Sequence, residues 1–234
     1  MTHIHIISLF PEIFQSFLSV SLLQKAQEKK LITFHMVNPR DYCSDAHQQV
    51  DDQPYGGGAG MLIKAQPVID AVEAIVAPLQ KGGSKREAGF KILFPSPAQE
   101  QFSQKHAYSF SKVETLIFVC GRYEGIDYRF EEYMRVKYPS AFQKISLGQF
   151  VLLGGEVAAM TMIEAISRLV PWVIKESESW QHESYNLKSC MQYLEYPQYT
   201  RPEEVYGYRV PEVLLSGNAG EIERWREEAS GKVG

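Results

Sequence analysis

The chain has 234 residues, with 24 Lys/Arg against 28 Asp/Glu and a formal net charge of −4. Hydrophobic residues make up 44% and charged residues 22%, which excludes a disordered chain, and no apolar run reaches the roughly 18 residues a membrane-crossing helix needs. Residues 1–175 carry 18 Lys/Arg against 17 Asp/Glu and residues 176–234 carry 6 against 11, so a nucleic-acid partner would have to be met by local basic patches and not by a general positive field.

In chain order, His3–Leu9 reads as a strand, with β-branched Ile4, Ile6 and Ile7 before the Phe10-Pro11 break. Pro11 suits a first helical turn, and Phe14, Phe17, Leu18 and Leu22 follow at helical spacing. Ile32–Val37 reads as a second strand and Pro67–Val76 as a helix opened by proline. Residues 80–88 read as a solvated loop. Lys91–Phe94, Thr115–Cys120 and Lys144–Ser146 read as further strands, and Glu156–Leu169 as a helix stopped near Pro171. Alternating strands and helices predict an α/β fold with a mostly parallel sheet covered on both faces. Ligands in such folds sit beyond the carboxyl ends of the strands.

Three organisational units are expected: a first domain over 1–174, a polar, weakly patterned linker over 175–190, and a small helical domain over 191–234. The last has its clearest helix at Ala219–Ala229, with Asn218 or Ser216 as N-cap. The linker offers little apolar surface to offset the entropy of ordering, so it is expected to order only on a partner. Three scattered cysteines, Cys43, Cys120 and Cys190, do not make a disulfide framework. The N-terminus lacks the pattern of a secretion signal, and reduced thiols fit a cytoplasmic protein.

Three segments carry the chemistry. Residues 51–61 (DDQPYGGGAGM) place four glycines in five positions, which permits close backbone approach to a ligand or merely a flexible turn. No Gly-Lys-Ser/Thr follows, so the usual phosphate loop is excluded. Residues 120–127 (CGRYEGID) follow an apolar strand and pack two glycines with Arg122, Tyr123, Glu124 and Asp127 into one turn. The alternative to a ligand site there is an Arg–carboxylate pair that only holds the loop. Residues 146–156 (SLGQFVLLGGE) offer glycine amides beside apolar side chains, which suits an adenine ring, or else a buried strand turning into a helix.

Taken together and in order with SPAQEQF (96–102), AISRLVPWV (165–173) and the long segment from Tyr196 to Arg226, these motifs closely resemble the TrmD family of tRNA (guanine-N1)-methyltransferases of the SPOUT class, over nearly the whole chain. The resemblance implies an α/β domain threaded into a deep trefoil knot, a rarity among folds. It implies S-adenosyl-L-methionine as methyl donor, held by three loops: Pro97; Gly121 and Glu124; and Leu147, Gly148, Gln149, Phe150, Val151 and Leu152 with Gly154 and Gly155. It implies a homodimer whose active sites draw on both chains, a C-terminal domain that grips tRNA, and a target guanosine at tRNA position 37 preceded by guanosine at 36. Mg²⁺ is inherited in the same way, with Glu124 and Asp127 as the carboxylates nearest the second loop; no metal-ligand cluster is read from the residues themselves.

Guanine N1 carries a weakly acidic proton, so methylation needs a base beside N1 and a positive group for the charge developing on the ring. The family's basic Asp, in an Asp-Ser-Phe context, matches Glu183 in Glu183-Ser184-Tyr185, and its guanine-facing Arg matches Arg168. Read without the family, Glu183 is one more acid in an acidic linker, and Arg168 a cation at a helix end. The departures are Glu183 for Asp, a longer stretch from Tyr185 to Tyr196, Gln99 for Gly, Gln53 for Arg, Gln149 for Asp and Phe150 for Tyr. About 1 Å of misplacement can cost on the order of a hundredfold in rate, so a catalytically weakened cofactor- and tRNA-binding member of the same fold is the alternative. A nucleotide-binding enzyme unrelated to RNA is a third reading. His3 and His5 share a strand face without a third ligand in view, and His182 stands next to Glu183.

Overall fold

The computed structural model describes residues 1–81, 89–174, 184–185 and 193–232. The chain divides into two compact units, Met1–Lys175 and Glu176–Gly234. The first is built on five parallel strands: β1 (Thr2–Ile7), β2 (Ile32–Val37), β3 (Phe90–Pro95), β4 (Thr115–Val119) and β5 (Phe142–Ile145), in the order β2-β1-β4-β3-β5. Its main helices are α1 (Ser21–Glu28), α2 (Ala65–Lys81), α3 (Gln104–Phe110), α4 (Arg129–Lys137) and α5 (Gly155–Ser167).

Strand periodicity divides the core in two. On β4, Leu116 and Phe118 face one side with Ile4 and Ile6 of β1, beneath Met162, Ile163 and Ile166 of α5 and Phe110 of α3. Ile117 and Val119 face the other, with Val68, Val72 and Val76 of α2 and Phe130 and Met134 of α4. Every residue of β4 is buried, as a central parallel strand covered on both faces requires.

The helix expected from Pro11 is broken. Pro11–Phe14 forms a 3₁₀ turn and Gln15–Leu18 a single α turn; Val20 is then extended, and Ser21, the first residue of α1, has φ +54°. The break lets Phe14 and Leu18 on one segment and Leu23 and Ala26 on the next reach the same core. The helix expected over Pro67–Val76 is longer at both ends and carries Pro78 in its last turn. The last strand sits slightly earlier than expected, at Phe142–Ile145.

In the second unit, two short antiparallel pairs join Glu204–Val205 to Tyr208–Arg209 and Tyr193–Leu194 to Gly231–Lys232. The expected helix α6 (Ala219–Ala229) is present, and the Asn218 side chain accepts the Glu221 N–H at 3.4 Å as its cap. Most of residues 175–190 lie outside the described residues. No helix among the described residues is long and apolar enough to cross a membrane.

Candidate active site

The loops after β3, β4 and β5 meet at the carboxyl edge of the sheet. Ser96 N–H donates to Ile145 O at 3.0 Å, Ser146 N–H to Glu100 O at 2.9 Å and Phe102 N–H to Ser146 O at 2.8 Å, which ties the first loop to the third. Gly155 N–H donates to Gly121 O at 2.8 Å, and Gly154 bridges Arg122, which ties the third loop to the second. Between them opens one cleft. Ser96 and Pro97 line it from the first loop, Gly121 to Gly125 from the second, and Ser146 to Gly148, Phe150 to Leu153, Gly154 and Gly155 from the third. Of the cofactor residues expected from sequence, Gln149 alone is not part of this lining.

The glycines are explained locally. A Cβ on Gly148 would stand 2.8 Å from Phe150 Cε1, so the ring folds back over the bare Cα. A Cβ on Gly155 would stand 3.0 Å from Cys120 Cα and 3.1 Å from Gly121 N, so the start of α5 can press onto the second loop only without a side chain. Ser146 Oγ accepts the Gly148 N–H at 3.1 Å and donates to Gly148 O at 2.8 Å, which sets the turn at the head of the third loop. On the second loop Tyr123 is held at φ +58°, a conformation a bulky residue adopts only under constraint from its surroundings.

The glycine-rich segment 51–61 joins the cleft from outside. Glu124 N–H donates to Met61 O at 3.1 Å, Ile63 N–H to Gly125 O at 3.0 Å and Asp127 N–H to Ile63 O at 2.9 Å. Gly56, Gly57, Gly58 and Gly60 all have positive φ. A second hollow, beside Gln53, Pro54 and Tyr55, is bordered by Lys64, Asp127 and Arg129.

Two residues of the motifs have a relationship that sequence spacing hid. Arg122 does not pair with a carboxylate of its own turn: its Nε lies 2.9 Å from Glu156 Oε2, the last residue of the third motif. Glu124 instead lies against Gly60. Asp127 takes Arg129 in a bidentate contact of 2.6 to 3.1 Å, which holds its carboxyl below the usual range. Asp127 is thus paired with Arg129, and no group of three or more His, Cys, Asp or Glu among the described residues is placed to hold a metal.

Arg168 caps the C-terminus of α5, its N–H donating to Glu164 O at 3.3 Å, and it is not part of the cleft lining. Glu183 and His182 lie outside the described residues.

The family model for tRNA (Guanine-1)-methyltransferase TrmD matches residues 2–233. The chain belongs to that family. Among relatives, the tRNA (guanine-N(1)-)-methyltransferase of Carboxydothermus hydrogenoformans is 46% identical over 227 residues, covering 97% of this chain and 82% of the relative. Those of Bacillus subtilis strain 168, at 44% over 227 residues, and Clostridium botulinum strain Kyoto, at 46% over 228 residues, each cover 97% of this chain and 86% of the relative. The three-loop cleft sits beyond the carboxyl ends of the strands, where open parallel sheets bind ligands.

Proposed function

We propose that this TrmD-family chain transfers a methyl group from S-adenosylmethionine to N1 of guanosine 37 in tRNAs that carry guanosine at 36, in the cytoplasm. The observation that supports it most is the single cleft formed by the loops after β3, β4 and β5. Its lining fits the donor: glycine backbone at Gly121, Gly148 and Gly154 for close approach, and apolar Leu147, Phe150 and Leu152 for a flat ring. S-adenosylmethionine supplies a methyl made electrophilic by its sulfonium.

The chain's own residues must do the rest. In this reading Glu183 accepts the N1 proton, and the Arg168 guanidinium, a planar fork of donors, faces the charge that develops on the guanine. Holding N1 in line with the methyl accounts for much of the barrier reduction. Arg168 is not among the residues that line the cleft of its own chain, and a homodimer, in which each site takes Arg168 and Glu183 across the interface, is part of the proposal. Exposed Val151, Leu153 and Val157 beside the cleft supply apolar surface for it. A trefoil knot is also part of it: Ser146 is held between Glu100 and Phe102, and Gly154 and Gly155 lie against Cys120–Arg122, as a chain passing between two earlier loops would be.

Single-turnover methylation of unmodified tRNA transcripts tests the reading, with guanosine at 36 and 37 compared against substitution at each. Transfer only to the transcript with guanosine at both 36 and 37 is expected. Normal cofactor and tRNA binding without transfer would favour a catalytically weakened member of the same fold, the reading that Glu183 in place of Asp makes worth testing.

A further inference from the structure

Glu156 is 1% exposed although it is a carboxylate one residue from the cleft wall. Ser8 Oγ, at the end of β1, donates to its Oε1 at 2.8 Å. On the other side Arg122 Nε stands 2.9 Å from Oε2, yet neither atom has a hydrogen-bond partner. At that distance the N–H must point past the carboxylate, so what joins the two groups is charge and not an aligned hydrogen bond. The Arg122 guanidinium lies over the Phe10 ring, 5.0 Å from its centroid, and Arg122 itself lines the cleft. Gly154 leaves room for the pair, because a Cβ there would come within 2.5 Å of both Arg122 Nε and Glu156 Oε2.

A buried carboxylate is expensive to desolvate unless something nearby needs its charge. The cleft supplies the reason. We propose that Glu156 is a charge-balancing positioning residue: it neutralises Arg122 on the cleft wall so that a ligand bearing a sulfonium is admitted. This rests on the reading that the cleft binds S-adenosylmethionine. The Arg122 backbone bridges Gly154 of the third loop, and the packing of its guanidinium over the Phe10 ring keeps the cation on the cleft wall. Uncompensated, that cation would repel the positively charged donor while leaving the demethylated product, whose sulfur is a neutral thioether, nearly untouched. The pair therefore sets the relative affinity for donor and product, a property that packing alone would not control.

The test is titration calorimetry of S-adenosylmethionine and S-adenosylhomocysteine with the full-length protein. In Glu156→Gln the donor should weaken roughly tenfold more than the product, which corresponds to about 1.4 kcal/mol of selective repulsion. Arg122→Gln should shift the ratio the other way, because Glu156 then acts on the sulfonium unopposed. The double variant should return to the wild-type ratio. Removing one member of a buried pair can itself unfold a protein; if Glu156→Gln does not fold, the opposite shift in Arg122→Gln decides. Equal loss of both ligands in folded single variants would overturn the inference and leave the pair as scaffolding. Wild-type protein that binds neither ligand would instead overturn the cofactor reading itself.

Discussion

The carboxylate of Glu124 occupies the space beside the Cα of Gly60: a Cβ there would lie 2.6 Å from Glu124 Cγ and 2.7 Å from Oε1. The glycine-rich segment and the second cleft loop thus touch through a missing side chain. Gly155 is a second such contact, but its neighbours are the backbone atoms of Cys120 and Gly121. The two sites should respond differently. In Gly60→Ala the Glu124 side chain can swing aside, and the loss, about 1 kcal/mol or somewhat more, comes from forcing alanine to φ +88°. In Gly155→Ala the backbone must move, so about 1–3 kcal/mol of stability should go together with cofactor affinity. Urea denaturation and calorimetry on both variants check this; equal stability losses would contradict it.

Gly148 should separate binding from folding. The three atoms nearest an added Cβ all belong to the Phe150 ring, the end of a side chain that can rotate. Gly148→Leu should therefore melt within a few degrees of wild type while losing at least about tenfold in S-adenosylmethionine affinity, since the ring and the new side chain both enter the cleft. Unchanged affinity would remove the third loop from the donor site.

For the chemical step, Glu183→Gln keeps shape and hydrogen bonding but loses basicity, so its single-turnover rate at saturating tRNA and cofactor should fall by about a hundredfold or more with cofactor binding intact. Glu183→Asp should retain most of the rate or gain some, because the shorter acid is the one the family resemblance implies at this position. Arg168→Lys should be poor, since an ammonium cannot reproduce the planar fork. A wild-type rate in Glu183→Gln would move the base elsewhere, with His182 the next residue to test.

Part of the acid sensitivity should arise from the histidines of β1 and β2. Burial, with His35 and His3 beside it, lowers the His5 pKa from 6.5 to about 4. The rings of His5 and His35 stack at 4.5 Å, and His35 is lowered in the same direction. A histidine that resists protonation when folded and accepts it when unfolded favours the unfolded state as pH drops. Stability should thus be complete above about pH 6.5 and fall as the pH is taken down toward 4. His5→Phe should flatten that slope in melting experiments between pH 4 and 7, and an unchanged slope would clear the cluster.

The assembly has its own test. Leu153 is 91% exposed and Val151 86%, so in the proposed dimer they should be covered. Leu153→Glu should give a monomer by light scattering at micromolar concentration with little change in melting temperature of the chain itself, and methylation should drop with it.

Hydrophobic period made much of the scaffold readable: β1 and β4 have the β-branched runs of buried parallel strands, and α2 has an apolar face of regular spacing. Helices α3 and α4 were missed for identifiable reasons. The capping residue at the third helical position of α3 is His106 and not the usual Glu, and its seven residues are too few to show a period. In α4 the charged residues Glu131, Glu132 and Arg135 dilute the apolar signal of Phe130 and Met134. At the site, the loops were legible because glycine clusters after strands are unusual. The Arg122–Glu156 pair was not: its members belong to two motifs, and only the β4–α5 junction brings them together.

The strand order β2-β1-β4-β3-β5 has a practical consequence. The three cleft loops leave from β4, β3 and β5, which are neighbours at one side of the sheet, whereas β2 forms the opposite margin. Its Met36 is exposed and belongs to no motif. A cysteine introduced there and coupled to a dye would sit on the same rigid sheet as the cleft but two strands from its nearest loop-bearing member. Such a label would report unfolding of the sheet without responding directly to ligands, and so provide an internal reference for every titration above.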